Sequence, residues 1–286
     1  MDVSEPAVAV VVPCWNHEDD TLRCLDALDA INYRNRRLIF VDNASEAAGF
    51  ARLLRGAAHV ELVRFDRNRG FSAAANEGIR RALRYGVDYV WILNNDAVVD
   101  ADSLSALVAL AESEPTLGAV GSVLDEGDAL VYGANVSLWN GYSAHVRAAD
   151  APRPDYLIGA SVLVRSRSLR DVGGFDEGYF LYWEDADFSF RLRKAGWGLA
   201  VAAASKVTHR GRGALAFCDP MRDFHYTRSS VRFLGRHARW PRSAATILTA
   251  RRFASRLRYR RWANAGAILR ALVPVGDGPS EEIEGR

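Results

Sequence analysis

The stretch Val8-Ala-Val-Val-Val-Pro-Cys-Trp-Asn16 decides the fold, because an unbroken apolar run leads directly into polar and turn-forming residues. Residues 8–12 lack the polar alternation of a strand with one face in water, so we predict a strand buried on both faces. Similar runs recur further along the chain, at residues 38–41, 60–65 and 89–93. Helical patterns separate them, near residues 21–30, 46–55 and 72–85. This alternation predicts an α/β domain, with a Rossmann-like, mostly parallel sheet and flanking helices.

The second half of the chain continues the pattern less regularly. We predict helices at residues 102–113 and 185–195, and strands at residues 119–123 and 158–164. The chain has 286 residues, of which 49% are hydrophobic, so it can bury a large core. This length suits one large domain with an appendage.

Polar residues follow each of the first four predicted strands, at residues 13–16, 42–43, 66–70 and 94–96. In open parallel sheets, ligands bind beyond the carboxyl ends of the strands. A single Asn or Asp after a strand is usually a turn or a helix cap. Because four such positions converge on one edge of the sheet, we predict a ligand site there.

Arginine dominates the last part of the chain. The net charge is only +2, yet no Asp or Glu occurs between Arg228 and Val273. Arginines recur in this segment, at residues 228, 232, 236, 239, 242, 251, 252, 256, 258, 260, 261 and 270. Interleaved apolar residues indicate amphipathic helices, so we divide the chain into a main domain at 1–215 and a helical, arginine-rich C-terminal extension at 216–286. The extension would pack on the main domain, on a second copy in a homodimer, or on an anionic membrane.

The cysteines and the N-terminus indicate a cytoplasmic protein. Cys14, Cys24 and Cys218 are an odd number without the paired spacing of a zinc site, so they are interpreted as free thiols in a reducing compartment. Asp2 and Glu5 stand where a secretory signal needs basic residues. We therefore expect a cytoplasmic location, with the inner face of the plasma membrane as the alternative that the basic extension raises.

An ordered set of short segments resembles the family 2 glycosyltransferases. The segments are VVVPCWN (10–16), FVDNAS (40–45), NRGFSAAANEG (68–78), LNNDAV (93–98), GGFD (173–176), WEDAD (183–187) and TH (208–209). The resemblance implies the A-type glycosyltransferase fold, inversion at the anomeric carbon, and nucleotide-sugar binding and catalysis by the main domain. The Asn-Asn-Asp version of the metal motif, at residues 94–96, and the short chain resemble those of bacterial rhamnosyltransferases of surface polysaccharide biosynthesis.

The resemblance also implies a donor site. Asp42 would accept hydrogen bonds from a pyrimidine ring or ribose, and the alternative is a cap for the helix that follows it. Pro13 and Asn16 would shape the base pocket, while Asn68 and Gly70 would let the backbone approach the nucleotide. No G-x-G-x-x-G follows the first strand, which argues against a dinucleotide cofactor.

A metal site is implied near the diphosphate. Asp96 matches the last acidic position of the family's metal motif, where Mg²⁺ or Mn²⁺ would lie between carboxylate and phosphate oxygens. Asn94 and Asn95 precede it and would bind the donor, whose phosphates would complete a site with one carboxylate. His209 matches the second protein ligand, although a lone histidine after a strand is usually an ordinary polar residue. Arg212, between two glycines, would close over the donor phosphates.

The acceptor side of the predicted site centres on one carboxylate. Asp185 is the candidate general base, since attack by a hydroxyl requires removal of its proton. Glu184 would bind the acceptor, and Trp183 would either stack on the acceptor sugar or belong to the core. The alternative for the acids is that they only cap the helix that begins here.

The predicted function is inverting transfer of a sugar, with rhamnose favoured, from a dTDP- or UDP-sugar donor to a hydroxyl of a saccharide, lipid-linked or natural-product acceptor. A nucleotidyltransferase is one alternative, but it would need a glycine-rich, lysine-bearing loop after the first strand, which residues 13–17 do not supply. The second alternative is a nucleic-acid-binding module that uses the basic extension. We do not expect nucleic acid as a partner.

Overall fold

A central mixed sheet organises the protein in the computed structural model, which describes residues 5–56, 59–148, 153–209 and 219–273. The strands of this sheet are β1 (Val8–Cys14), β2 (Arg36–Asp42), β3 (Glu61–Arg64), β4 (Tyr89–Leu93), β5 (Val98–Val99), β6 (Leu117–Asp125), β7 (Leu130–Val131), β10 (Ser161–Arg165) and β11 (Gly198–Thr208). They run in the order β3-β2-β1-β4-β10-β6-β11-β5, with β7 paired to β6. A separate hairpin consists of β8 (Ala134–Val136) and β9 (Ser143–His145).

The predicted parallel arrangement is confirmed for the first half of the chain. Strand β1 is parallel to both β2 and β4, and β2 is parallel to β3. Strand β10 is antiparallel to β4 and to β6, whereas β6 and β11 are parallel. Composition does not reveal the direction of β10, because a buried strand is apolar on both faces whichever way it runs.

Helices cover both faces of the sheet. Their bounds are α1 (Glu18–Asp29), α2 (Ala47–Gly56), α3 (Phe71–Arg84), α4 (Ser103–Ser113), α5 (Ser166–Val172), α6 (Glu184–Lys194), α7 (Pro220–His237), α8 (Pro241–Arg258) and α9 (Trp262–Arg270). Strand β1 shows why both faces are buried. Val10 belongs to the core beneath α1 and α4, and Val11 to the core beneath α3, α5 and α6. Successive side chains of a strand point to opposite faces, so a strand between two layers must be apolar throughout.

The predicted and observed elements differ in length, and several observed elements were not predicted. Strand β4 has the predicted bounds, whereas the strand predicted at 158–164 begins only at Ser161. The strands β5, β7, β8 and β9 were missed because two or three residues show no measurable periodicity. Strand β11, of 11 residues, was also missed, because its many alanines have a low β-propensity, and so was the short helix α5. Across the described ranges, no helix combines the length and apolar character needed to cross a bilayer.

The described part of the arginine-rich extension, residues 219–273, forms three helices that pack on each other and on the rest of the chain. Phe233 and Leu234 of α7 lie in a core cluster with Trp183 and Ala186. Asp223 of α7 is buried and binds Arg252 and Arg256 of α8 and Asn264 of α9. The extension was predicted to pack on the main domain, on a second copy or on a membrane. The structure shows α7 in contact with the main domain.

Gly78 provides a test of the packing between α3 and β1. A Cβ atom at Gly78 would overlap the side chain of Val11 at the centre of the sheet. Gly78→Ala is therefore expected to lower the free energy of unfolding by about 1–3 kcal/mol, because helix and strand must separate. Urea denaturation followed by circular dichroism measures the change.

Gly235→Ala is the matched control, since no described atom lies within 4 Å of the Cβ position at this helical glycine. It is expected to stabilise α7 by about 0.5–1 kcal/mol. Equal stability of the two variants would show that α3 does not pack on β1 as closely as the structure indicates.

Candidate active site

The residues that follow β1 and β2 meet at the carboxyl edge of the sheet. The backbone N–H of Asn16 donates to Ser45 Oγ over 2.7 Å, and the N–H of Glu46 donates to Asn16 Oδ1 over 2.9 Å. Asn16 has a left-handed backbone with φ 53°. Pro13 lies buried within β1, opposite Val41. The structure thus joins two of the predicted donor-binding segments through the side chain of Asn16.

Asp42 ends β2 and is 0% exposed. Its Oδ1 accepts the Ser45 N–H over 3.1 Å, as expected for the alternative in which it caps the following turn. Its Oδ2 lies 3.5 Å from Arg64 Nε and has no hydrogen-bond partner among the described residues. A buried carboxylate oxygen without a hydrogen bond is costly, so Oδ2 is the atom of Asp42 that has most to gain from a ligand.

Asn43 holds the next segment in place, and its role was not predicted. Its Nδ2 donates to Asn68 Oδ1 over 2.8 Å and to Gly70 O over 3.1 Å, while its Oδ1 accepts the Arg69 N–H over 2.8 Å. Its position directly after β2, within the FVDNAS segment, was the available indication. The predicted donor residue Asn68 therefore lies at the same edge as Asp42.

Gly70 was predicted to let the backbone approach the nucleotide, but the structure shows a different need for glycine at this position. It has φ 84°, and a Cβ atom there would lie 2.6 Å from the backbone oxygen of Phe180. The space on the side where a Cβ would lie is therefore filled by Phe180. Glycine is needed here for chain packing and for the left-handed backbone.

The Asn-Asn-Asp segment after β4 brings together the predicted metal ligands. Asp96 Oδ1 lies 3.2 Å from His209 Nε2, and Asn94 Nδ2 lies 3.3 Å from the same nitrogen. Asn95 is directed elsewhere, because its Nδ2 donates to Thr21 Oγ1 of α1 over 2.8 Å. Asp96 and His209 therefore share one site, while Asn95 fastens the loop to α1.

The pKa of His209 depends on the neighbouring carboxylate of Asp96. Burial opposes a charge on the ring, but the hydrogen bond and charge of Asp96, together with the charge of Glu126, raise the pKa of His209 above its ordinary value. Within the described ranges, no three His, Cys, Asp or Glu side chains are grouped to hold a metal. One carboxylate oxygen and one imidazole nitrogen fit a divalent cation that takes its other ligands from phosphate and water.

Glu126, which was also missed, lies just beyond β6 between two functional regions. It contributes to the raised pKa of His209, and its Oε2 lies 3.5 Å from His145 Nδ1. His145 in turn acts electrostatically on Asp185 and lowers its pKa. Strand β6 runs two residues beyond its predicted end, and this extension places Glu126 directly at the carboxyl edge.

Asp185 lies in the first turn of α6, whose Phe188 and Leu192 are buried. Its Oδ2 accepts the Gly159 N–H over 3.0 Å, and its Oδ1 accepts the Ala186 N–H over 2.7 Å. Burial raises the pKa of Asp185 above its ordinary value, and these hydrogen bonds oppose the rise. The carboxylate is thus fixed in orientation and made more basic than a solvated aspartate.

Residues Gly159 and Ala160 connect the candidate base to the candidate metal site. Gly159 binds Asp185, and the backbone oxygen of Ala160 accepts the Asn94 N–H over 3.0 Å. Because these two residues are adjacent in the chain, Asp185 and the start of the Asn-Asn-Asp segment are held close together at the same edge of the sheet.

The predicted stacking of Trp183 on an acceptor is wrong. Its indole is 5% exposed and packs against Tyr226 and Phe233 of α7, at centroid distances of 5.6 and 4.9 Å. The alternative, a core position, is the one observed. Tyr182 and Trp183 both have left-handed backbones, with φ 68° and 69°, which is strained for aromatic residues.

Glu184 is buried beside Asp185. Its Oε2 has no hydrogen-bond partner among the described residues. Burial, with a further contribution from the charge of Asp185, raises the pKa of Glu184 well above its ordinary value. A buried acid that is readily protonated can donate a hydrogen bond as well as accept one.

A cluster of Asp187, Arg191, Arg236 and His237, here called the Asp187 cluster, fastens α7 to α6. Asp187 is 0% exposed; its Oδ2 binds Arg191 Nε over 2.8 Å, and its Oδ1 binds Arg236 Nη1 over 2.9 Å and His237 Nε2 over 2.8 Å. Burial opposes the charge, but the hydrogen bonds of His237 and Arg191 and the surrounding cations lower the pKa of Asp187 to about 2.

The predicted Arg212 loop and one of the three cysteines lie outside the described residues. Arg212 and its glycine-flanked loop fall within 210–218, as does Cys218. Cys14 and Cys24 are buried free thiols. Burial raises the pKa of both thiols, which makes them inert at neutral pH.

Comparisons with known proteins identify the family of the chain. The family described as Glycosyl transferase family 2 matches residues 9–173. An N-acetylglucosaminyl-diphospho-decaprenol L-rhamnosyltransferase of Mycobacterium tuberculosis is 27% identical over 269 residues, covering 83% of this chain and 86% of the relative.

Two solved structures share the fold. A mannosyltransferase from Pyrobaculum calidifontis, in complex with GDP-Man and Mn²⁺, has a TM-score of 0.61 at 21% identity and covers 94% of this chain and 75% of its own. GalNAc-T7 with UDP, GalNAc and Mn²⁺ has a TM-score of 0.67 at 15% identity and covers 95% of this chain and 57% of its own. These likenesses show the A-type fold.

Proposed function

The chain belongs to glycosyltransferase family 2, and from this premise we propose that it performs inverting, metal-assisted transfer of a sugar, with rhamnose favoured, from a dTDP- or UDP-sugar. The acceptor is a hydroxyl of a saccharide, lipid-linked or natural-product molecule. One observation carries the proposal: Gly159 and Ala160 hold the carboxylate of Asp185 beside the segment that contains Asp96. The resemblance to a rhamnosyltransferase supports the choice of sugar.

The donor nucleotide is proposed to lie across the carboxyl ends of β1 and β2. Pro13 and Asn16 shape the base pocket, Asn68 and the backbone at Gly70 line it, and Asp42 contributes Oδ2. The hydrogen bonds of Asn16 and Asn43 prearrange these segments, which lowers the entropy lost on binding. Arg212 is proposed to add positive charge at the phosphates.

Asp96 and His209 are the residues proposed to hold Mg²⁺ or Mn²⁺. When bound, the cation neutralises charge that develops on the departing nucleoside diphosphate. The two solved structures of the same fold are complexes that contain Mn²⁺ together with GDP-Man or with UDP and GalNAc, which supports this assignment. His209 must be neutral to serve as a ligand, so its raised pKa predicts weaker metal binding as the pH falls through that pKa.

Asp185 is proposed to take the proton of the acceptor hydroxyl. As that proton moves to the carboxylate, the acceptor oxygen forms a bond to the anomeric carbon and the bond from that carbon to the diphosphate oxygen breaks. Attack from the face opposite the leaving group inverts the configuration. Glu184 is proposed to hydrogen-bond the acceptor through the buried Oε2, the atom that otherwise has no partner among the described residues.

We also propose separate roles for the two parts of the chain. Residues 1–215 supply nucleotide-sugar binding and catalysis, and residues 216–286 form an extension that supports α6. The name of the mycobacterial relative contains a diphospho-decaprenol, which favours a lipid-linked acceptor within the proposed range.

Calorimetric titration with dTDP-rhamnose, UDP-glucose and UDP-GlcNAc tests the proposal, with Mn²⁺ present or removed by chelation. One donor is expected to bind in a metal-dependent way. Asp96→Ala and His209→Ala are each expected to weaken binding by about tenfold or more, because each removes a ligand from a site with two protein ligands.

Asp26→Asn, which alters an exposed acid on α1, is the matched control and should bind the donor as the unaltered protein does. Metal-independent binding in both alanine variants would refute the assigned ligands. If no nucleotide sugar binds even with an acceptor sugar present, the proposed reaction is wrong.

A further inference from the structure

The arginines of α7 to α9 divide into two sets with different surroundings. The inward set faces buried or half-buried acids: Arg232 and Arg236 bind Asp176, and Arg252 and Arg256 bind Asp223. The outward set is exposed and forms no ion pair within the described ranges; it consists of Arg239, Arg242, Arg251, Arg258, Arg260 and Arg270. The inward arginines hold α7 against Asp176 and α8 against α7. The outward arginines have no such structural role among the described residues.

Large apolar side chains are exposed among the outward arginines. Trp240 precedes α8 and is 64% exposed, while Tyr259 and Trp262 follow it and are 68% and 67% exposed. Leu269, Leu272 and Val273, at the end of α9, are also exposed. A helix of 18 residues is about 27 Å long, so Trp240 lies at one end of α8 and Tyr259 and Trp262 lie beyond the other end.

The outer side of α8 between these ends is smooth and carries no negative charge. Its exposed residues include Thr246, Ala250 and Ala254, which are small. No Asp or Glu occurs anywhere from 224 to 273. Arg239 stacks over Trp240 and Arg251 over Tyr142, so cations and rings share the same surface. We call this surface, with the outward arginines, Trp240, Tyr259 and Trp262, the α8–α9 face.

We propose that the α8–α9 face docks on an anionic phospholipid bilayer. Arginine guanidinium groups bind lipid phosphates, and each adds about a fivefold increase in affinity near an anionic membrane. Tryptophan and tyrosine favour the boundary between headgroups and acyl chains, where the ring is dehydrated and the polar atom stays hydrated.

The chemistry of the face favours a bilayer over a nucleic acid. Leu269, Leu272 and Val273 gain nothing from a phosphate backbone, but they are stabilised by burial in the interfacial region of a membrane. The inference goes beyond the proposed reaction and stands without it, since it uses no donor-site residue. If the acceptor is lipid-linked, docking would bring the enzyme to the surface that holds its substrate.

Flotation of the full chain with vesicles tests the proposal, using phosphatidylcholine alone or with about 30 mol% phosphatidylglycerol. The protein is expected to float with the anionic vesicles only, and less so at high salt. The triple variant Arg242→Glu, Arg251→Glu, Arg258→Glu is expected to lose at least about a hundredfold in affinity, because three favourable charges are lost and three repelled ones are added. A second variant, Trp240→Ala with Tyr259→Ala and Trp262→Ala, should also bind more weakly.

The matched control changes three exposed arginines of the main domain by the same charge: Arg34→Glu, Arg167→Glu and Arg170→Glu. It is expected to float like the unaltered protein. Circular dichroism and titration with the nucleotide sugar verify that each variant is folded, so a failure of docking is distinguishable from a failure of donor binding.

Three outcomes would overturn the proposal. The first is equal flotation with neutral and anionic vesicles, or none with either. The second is equal loss of flotation in the α8 variant and the control. The third is tighter binding to an oligonucleotide than to anionic vesicles at the same salt concentration, with loss in the α8 variant, which would identify nucleic acid as the partner of this face.

Discussion

Replacement of Asp185 by asparagine is expected to lower kcat by about 10²–10⁴-fold while donor affinity stays unchanged. The amide has nearly the shape of the carboxylate but cannot accept the acceptor proton. Because Asp185 contacts Gly159 and Ala186 rather than the proposed donor residues, the loss should appear in kcat and not in the donor Kd. Steady-state kinetics and calorimetry on the same preparation measure both quantities.

The pH dependence of the reaction provides a second readout for Asp185. The base must be ionised, and burial raises the pKa of Asp185 above 3.8. Activity of the unaltered enzyme should therefore fall as the pH drops through this raised pKa. At saturating Mn²⁺, which offsets the weaker metal binding expected once His209 is protonated, residual activity of the asparagine variant should not show that acidic limb.

Asp171→Asn, at an exposed acid on α5, is the control for a general effect of charge removal and should retain activity. If Asp185→Asn retained more than about a tenth of wild-type kcat, Asp185 would not be the base. A large loss of donor affinity would instead place Asp185 in the donor site.

Replacement of Asp187 by alanine is expected to lower the free energy of unfolding by about 3–5 kcal/mol. The change leaves Arg191, Arg236 and His237 without the carboxylate that binds all three at the junction of α6 and α7. Urea denaturation near neutral pH measures the loss.

The same cluster predicts a pH dependence of stability. Its hydrogen bonds and cations hold the folded-state pKa of Asp187 at about 2, below the ordinary value of 3.8. A lowered pKa stabilises the fold above the unfolded-state pKa by about 2 kcal/mol, and this contribution is lost as the pH falls through the folded-state pKa. The difference in the free energy of unfolding between Asp187→Ala and the unaltered protein should therefore become smaller as the pH falls from 3.8 to about 2.

Asp176→Asn is the matched comparison, since Asp176 binds Arg232 and Arg236 but remains partly exposed. Its expected cost is about 1 kcal/mol or less, because water partly screens such pairs. Equal effects of the two substitutions would show that the Asp187 cluster does not hold α7 on α6.

The sequence alone was sufficient to predict the family and a mostly parallel sheet covered by helices. Apolar runs such as Val8–Cys14 predict buried strands because both faces of a covered sheet are apolar, and the polar residues after them predict the functional edge. The ordered segments also indicated Asp96 and His209, and the structure brings these two side chains to 3.2 Å from each other. Their roles as metal ligands stay predictions.

Only the tertiary structure decided which polar residues face a ligand and which hold the fold. Asn95 and Trp183 lie in matching segments, yet one binds Thr21 and the other is buried against α7. Asp187 is not distinguishable from Asp185 in a linear reading, but a helix turns by about 100° per residue and directs the two carboxylates to different neighbours. These partners come from distant parts of the chain, so contacts of high sequence separation decide the roles and local patterns do not reveal them.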